Sequence, residues 1–394
     1  MLRFPANALP LPLEDFLAEI HARKGEPLRM PIKLDFGGGL GGTTLAAQVI
    51  ATWANLNKPP RSIRLSRHFA QNADTRDRFA STLPGMATLY FADMIDCEGE
   101  LLDRVTALRA VTPRVEAMQR EDYQNTVRGI GVALCCFMGA RNEFLKPLYA
   151  VPEPMGVHDE VTFKKLVPRL LERLNSGKSL PLNEGQLDYL CAMVYQLFLN
   201  CDQHGAYRVG GGRYTRGIRG ISARLTTLTD LPTLVEYAGN DTHLRSYLTR
   251  LQMLPFKGEK TGPTVQKHGA KPMQLLELSV FDTGPGLALR WLSETEGAES
   301  YSDFSLAQEL DAVRTCFQKH TTTKVSELSG QGLPVALSAL KNLNAFMTLR
   351  TGSLSLYQDF STASTTVFSP EPRFASKKVP EITGAAYSIW FRVK

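Results

Sequence analysis

What the sequence lacks narrows the field first. It has no apolar run long enough to cross a bilayer: its most apolar stretch, Gly129–Ala140, falls short of the roughly 20 residues a spanning helix needs. Met1–Pro12 is interrupted by proline and carries neither a basic leader nor an apolar run with a cleavage site, so a cytoplasmic protein without a signal peptide is expected. The cysteines, Cys97, Cys135, Cys136, Cys191, Cys201 and Cys316, show no C-x-x-C spacing, which argues against a structural metal site. Most lie in apolar segments, as reduced core thiols do. No internal repeat is present, and the nearest thing to a low-complexity tract, Ser361–Ser369, reads as a loop. Nor does one sign of charge dominate. The net +6 permits contact with an anionic partner without demanding one.

What is present is an ordinary globular composition, 43% hydrophobic and 21% charged, in 394 residues. That length favours two domains with a connector. The first part, residues 1–100, reads as a small α/β domain: a strand at Ile32–Phe36, a glycine-rich turn at Gly37–Gly42, a helix at Thr43–Leu56 and a strand at Ser62–Leu65. Strand, turn, helix, strand implies a parallel pair. Residues 101–181 carry mostly helical periodicity punctuated by Pro113, Pro147, Pro152 and Pro154, and read as a helical connector. Residues 182–394 follow the order helix, insertion at about 205–270, strand, loop, helix and three strands. The strands are expected at Leu275–Phe281, Ala345–Arg350 with Leu354–Gln358 as a hairpin, and Ala386–Val393; the helix is expected at Leu333–Leu343. In the last strand Ile389, Phe391 and Val393 alternate with Ser388, Trp390 and Arg392, giving one core-facing side. The expected class is α+β, with helices on one face of a mixed sheet.

Three motifs carry chemistry. On the helix Gln186–His204, a turn of about 100° per residue groups Leu187, Leu190, Cys191, Val194, Phe198 and Cys201 on one face, while Gln196, Asn200 and His204 form a polar stripe on another. Alone, that stripe reads as a solvated face. The strand Leu275–Phe281 ends in Asp282-Thr283-Gly284-Pro285-Gly286, where a carboxylate can accept a hydrogen bond from an exocyclic amine and glycines let backbone approach a ligand. Ser329-Gly330-Gln331-Gly332-Leu333 opens a helix, whose free N–H groups and dipole favour phosphate.

In this order the motifs resemble the N, G1 and G2 boxes of the GHKL (gyrase, Hsp90, histidine kinase, MutL) ATPases. Thr321-Thr322-Thr323-Lys324 resembles the lid that precedes G2 in the histidine-kinase and anti-sigma branch, and the resemblance covers Leu182–Lys394. It implies a Bergerat-type α/β sandwich, ATP and Mg²⁺ as cofactors, Asn200 as the Mg²⁺ ligand, Asp282 as the adenine acceptor, and Gly284 and Gly286 along the base pocket. It further implies phosphate contacts from Gly330, Gln331, Gly332 and Leu333, with Thr322 and Thr323 in the lid. By the same resemblance Lys324 would neutralise the terminal phosphate, His204 and Thr383 would complete the binding set, and Gln196 would stand at the position of the water-activating residue. Two departures matter: Gln196 replaces the usual Glu or Asn, and Gly384-Ala385 replaces Gly-Thr at the end of the fold. The implied function is a nucleotide-dependent conformational switch or slow ATPase that regulates a protein partner, homodimerisation being compatible. Two alternatives stand beside it: a histidine- or serine-kinase-like protein kinase, and a nucleic-acid-associated ATPase of a multi-protein complex such as a bacterial defence assembly. His21, His68 and His158 lack the acceptor pattern of a histidine kinase.

Two segments lie outside this reading. Gly205–Arg224 holds Arg208, Arg213, Arg216, Arg219 and Arg224 with no acid, so it could meet nucleic-acid phosphates or pair with acids elsewhere in the protein. The following Leu225–Leu254 reads as helices inserted over the lid. Gly37–Thr44 has P-loop spacing with Thr43 at the lysine position, which removes a principal phosphate contact. The N-terminal order more distantly resembles a STAS-like regulatory domain.

Overall fold

The computed structural model describes residues 1–34, 41–129, 131–150, 156–253, 272–318, 332–362, 366–374 and 379–393. Within them the chain is a mixed α+β protein with two sheets. The first is built from β1 (Leu2–Arg3), α1 (Pro10–Ala22), β2 (Leu28–Arg29), α2 (Gly42–Leu56), β3 (Ser62–Arg64), α3 (Arg67–Gln71), α4 (Ala73–Ala80), α5 (Leu83–Phe91), β4 (Met94–Cys97) and β5 (Glu100–Leu102). Its strands lie in chain order, β1 to β4 parallel and β5 antiparallel to β4. Parallel neighbours require crossovers, and helices supply them. The expected parallel pair is β2 with β3, but its first strand sits earlier than Ile32–Phe36: Leu28 and Arg29 pair with Ile63 and Arg64. Pro31 has no N–H with which to continue the ladder. Residues 32–34 lie outside any strand, and 35–36 outside the described residues.

Next come α6 (Arg104–Arg109), α7 (Thr112–Gln119), β6 (Gly131–Phe137) and α8 (Glu160–Leu174). The segment read as a helical connector therefore contributes a strand to the second sheet, because a short apolar run looks alike in a buried strand and a buried helix. The remaining elements are α9 (Glu184–Gly205), β7 (Ile218–Leu228), α10 (Leu231–Ala238), α11 (Thr242–Met253), β8 (Met273–Asp282), α12 (Leu287–Glu296), α13 (Leu306–Cys316), α14 (Gly332–Asn342), β9 (Phe346–Gly352), β10 (Leu354–Asp359), β11 (Glu371–Pro372) and β12 (Ile382–Arg392). The large sheet runs β11-β10-β9-β12-β8-β7-β6. Every neighbouring pair in it is antiparallel, not mixed as expected. The connection through α10 and α11 shows why: two helices go out and back, so β8 starts at Met273 opposite Leu228, where β7 ended.

The second correction concerns layers. Helices cover both faces of the large sheet. On one face, α9 and α14 pack over Leu276, Leu278, Val280 and Ile389. On the other, α2 lies on β12 and α10–α11 bury Phe346 and Trp390. Leu225–Leu254 thus completes β7 and then covers the face away from α9. The polar positions Ser222, Ser279, Ser388 and Thr348 align across β7, β8, β12 and β9. Such small side chains offer a flat row against which α2 can seat: a Cβ on Gly41 would stand 2.8 Å from Ser388 Oγ. At the far edge, β6 has no further strand among the described residues. Its outward N–H groups are met by side chains, Ala133 N–H on Thr126 Oγ1 at 3.2 Å and Cys135 N–H on Met118 Sδ at 3.4 Å, which closes an edge otherwise open to pairing. No helix among the described residues is long and apolar enough to cross a membrane.

Candidate functional site

Helix α9 starts in a capping box: Asn183 Oδ1 accepts from Gln186 N–H at 2.8 Å and Gln186 Oε1 accepts from Asn183 N–H at 3.2 Å. Leu190, Cys191, Val194, Phe198 and Cys201 are buried, as the periodicity requires, while Gln196, Asn200 and His204 are half-buried. Their four-residue spacing puts these three on one face, a turn apart.

Two backbone approaches fix where that stripe lies. Gly332, the first residue of α14, abuts Gln196: a Cβ there would stand 2.7 Å from Gln196 Oε1. At the other end Gly205 meets the turn after β8. A Cβ on Gly205 would fall 2.5 Å from Asp282 Cγ, and one on Gly284 would collide with the Gly205 carbonyl. Glycine is required at both positions, because the Asp282 side chain fills the space beside Gly205 and the Gly205 backbone fills the space beside Gly284. Gln196, Asn200 and His204 therefore run between the start of α14 and the Asp282–Gly286 turn. His204 O and Tyr207 O also accept from Arg290 Nη2, which ties α12 to the end of α9.

Asp282 closes β8 and is almost wholly buried, at 6% exposure. Gly284 N–H donates to its Oδ1 at 2.8 Å. Burial pushes its carboxyl up to about 6, against the opposing pull of Gly284 N–H, the Cys201 thiol, Ala385 N–H and the Arg219 charge. The turn is clamped: Ile218 N–H donates to Thr283 Oγ1 at 2.8 Å, and Tyr301 O–H donates to Pro285 O at 2.8 Å. Leu287 N–H, just past the Gly286 N-cap of α12, donates to Thr351 Oγ1 at 3.1 Å. Gly384 lies directly against the Asp282 carbonyl, so any side chain there would collide. The sequence reading missed Gly205 and treated Cys201 as plain core. Cys201 continues the apolar face, and only the arrival of Asp282 beside Gly205 shows what that glycine does.

Thr383 lines a cavity beside Gly284 and Pro285 and is held against α2. Its hydroxyl lies 3.1 Å from Thr52 Oγ1 of α2, its N–H donates to the same oxygen at 3.0 Å, and its carbonyl accepts from Gln48 Nε2 at 3.1 Å. Leu333 is a buried core residue of α14, at 6% exposure. Thr322, Thr323, Lys324, Gly330 and Gln331 lie outside the described residues.

The arginine-rich segment is largely engaged inside the protein. Arg219 has no exposed surface; its Nε bonds Asp202 Oδ1 and Tyr149 Oη at 2.8 Å each, and its Nη1 lies 3.1 Å from Glu143 Oε1. Arg213 pairs with the same Glu143, and Arg216 with Asp93 at 2.6 Å. Arg208 stacks on Tyr214 at 5.5 Å. Buried, Arg219 cannot reach a nucleic-acid phosphate, and Arg213 and Arg216 already have carboxylate partners. Long-range pairing of this kind cannot be read along the chain. Arg224 lies across the sheet from Glu277.

Among the described residues no group of three or more His, Cys, Asp or Glu side chains is placed to hold a metal ion. Asn200 alone offers one neutral oxygen, which suits a hard cation otherwise held by phosphate oxygens and water. Compared with family models, curated proteins and solved structures, the chain matches none.

Proposed function

We propose that the crevice between α9, the Asp282–Gly286 turn and the start of α14 binds Mg-ATP, and that this cytoplasmic protein is a GHKL-type nucleotide-dependent switch or slow ATPase acting on a protein partner. The observation that carries the reading is the double pinning of α9. Gln196 against Gly332 and Gly205 against Gly284 hold one polar stripe between a buried carboxylate and the start of an apolar-faced helix. Asp282 would accept the adenine amine, Asn200 would hold Mg²⁺ together with phosphate oxygens, and the first turn of α14 would present N–H groups to phosphate. Bound Mg²⁺ would neutralise phosphate charge. Gln196 can orient a water by hydrogen bonding but cannot take its proton, because an amide is not basic enough. That favours long-lived binding over rapid turnover.

Calorimetric titration of the full chain with ATP, with and without Mg²⁺, tests the reading. Binding in the wild type that disappears in Asp282→Ala, with the circular dichroism spectrum unchanged, is expected. ATP affinity unaffected by that substitution would remove the assignment. Following free phosphate and labelled protein from γ-labelled ATP in parallel separates hydrolysis from transfer.

A further inference from the structure

The Gly37–Thr44 motif finds no use in the nucleotide crevice, yet a cavity lies beside its described end. It has a volume of about 340 Å³ and sits between the start of α2, the start of α5 and strands β6 to β8, on the face of the large sheet away from α9. Thr43 and Thr44 of α2, Ser222 and Arg224 of β7, and Arg128 line its polar part, while Leu83 and Val132 supply apolar wall.

The charges there do not balance. Arg224 Nε is buried and has no hydrogen-bond partner among the described residues. Arg128 is exposed at the rim with no ion pair among the described residues, while Arg224 stands opposite Glu277 on β8 and feels its charge without a direct ion pair. The acid in the wall, Glu277, is already held: its Oε1 accepts from Gly41 N–H and its Oε2 from Tyr237 O–H, each at 3.0 Å. Burial also pushes its carboxyl upward, which makes it a poor counter-charge. Helix α2 opens on the same cavity. It begins on Gly41 without a side-chain cap and with no acid in its own first turn, and the carboxylate that meets its positive end is Glu277, through Gly41 N–H. The exposed Arg128 guanidinium, the unpartnered Nε of Arg224 and hydroxyl donors at Thr43 and Ser222 suit a tetrahedral oxyanion, and the apolar wall suits a small organic group attached to it.

We propose that this cavity is a second ligand site, separate from the nucleotide crevice, that binds a small phosphomonoester through Arg128, Arg224 and the first turn of α2. The proposal does not depend on ATP binding elsewhere. The test titrates the full chain with inorganic phosphate and with phenyl phosphate, read by calorimetry and thermal shift. Saturable binding is expected in the wild type and equally in Asp282→Ala. Arg224→Met and Arg128→Glu should each weaken it at least about tenfold, since a charge-assisted hydrogen bond is lost. Arg128 is exposed, so its variant decides the matter even where Arg224→Met fails to fold. Non-saturable binding, wild-type affinity in Arg128→Glu, or loss of binding in Asp282→Ala would each overturn the proposal.

Discussion

Replacing Asp282 by Asn should move stability and ATP binding in opposite directions. In the unfolded chain the carboxyl titrates near its ordinary 3.8; in the fold, burial holds it near about 6. Between those values the folded protein keeps a proton that the unfolded chain has lost, so stability falls as pH rises through this window. Above about 6 the cost is fully present, on the order of 3 kcal/mol at about 1.4 kcal/mol per pH unit. An amide carries no charge to desolvate and can still accept from Gly284 N–H through its oxygen. Some of the gain is offset where the new NH₂ meets Cys201 and Ala385, so about 1–3 kcal/mol of added stability at pH 7.5 is expected, vanishing below pH 4. ATP binding should weaken by about 10–100-fold, because the amine of adenine would then face a donor. Urea unfolding at pH 7.5, 5 and 4 and calorimetry with ATP measure the two effects. A variant that loses stability at pH 7.5 would show that Asp282 is an ordinary structural partner and that the reasoning fails.

Gln196→Glu should leave ATP affinity nearly unchanged and raise phosphate release by on the order of 10²-fold, as a positioned general base does; brisk wild-type turnover lost in the variant would show that the amide itself is required. Gly284→Ala should lower the urea midpoint and abolish ATP binding together, because its Cβ would collide with the Gly205 carbonyl; a fold and affinity like the wild type's would mean that α9 and the turn are not in contact. Arg219→Met leaves Glu143 and Asp202 without their buried partner and should cost about 3–5 kcal/mol in urea unfolding. A polynucleotide-binding salt slope that drops by about 0.9 with Arg213→Ala or Arg216→Ala would instead show that these arginines meet phosphates.

The parts of the fold legible in sequence are those whose signal is local. The helix expected over Gln186–His204 announces itself through an apolar face at helical period, and its start lies at Glu184, behind the Asn183 cap. The hairpin of β9 and β10 and the strand ending at Asp282 also emerge near their expected bounds. What escaped depends on partners distant in sequence. Ser279, Ser388 and Thr348 look solvent-facing because nothing nearby in the chain reveals that α2, more than 200 residues earlier, covers them. The strand β6 escaped because seven residues between helices are too few to show a period. In the candidate site the residue types of the crevice were readable. The glycine contacts that orient them were not, since Gly205 acquires meaning only when β8 arrives beside it. The contacts of Thr383 escaped for the same reason: its hydroxyl finds Thr52, on an element assigned to another domain.

Those contacts bear on how a switch could be built here. Helix α2 is buried along nearly its whole length, yet it carries Gln48 and Thr52, whose polar groups would be costly to bury without partners. Both are spent on β12: Gln48 Nε2 donates to Thr383 O and Thr52 Oγ1 accepts from Thr383 N–H. The next residue, Gly384, lies against the Asp282 carbonyl, and at the opposite end of α2 Gly41 N–H donates to Glu277 of β8, the strand that Asp282 terminates. A rigid helix therefore touches β8 and β12 at two points on either side of the carboxylate, on the face away from the proposed nucleotide. A ligand that shifts α2 against the sheet must strain one of these contacts or move the Asp282 turn. The contacts provide a physical path by which the N-terminal sheet could sense, or set, occupancy of the crevice.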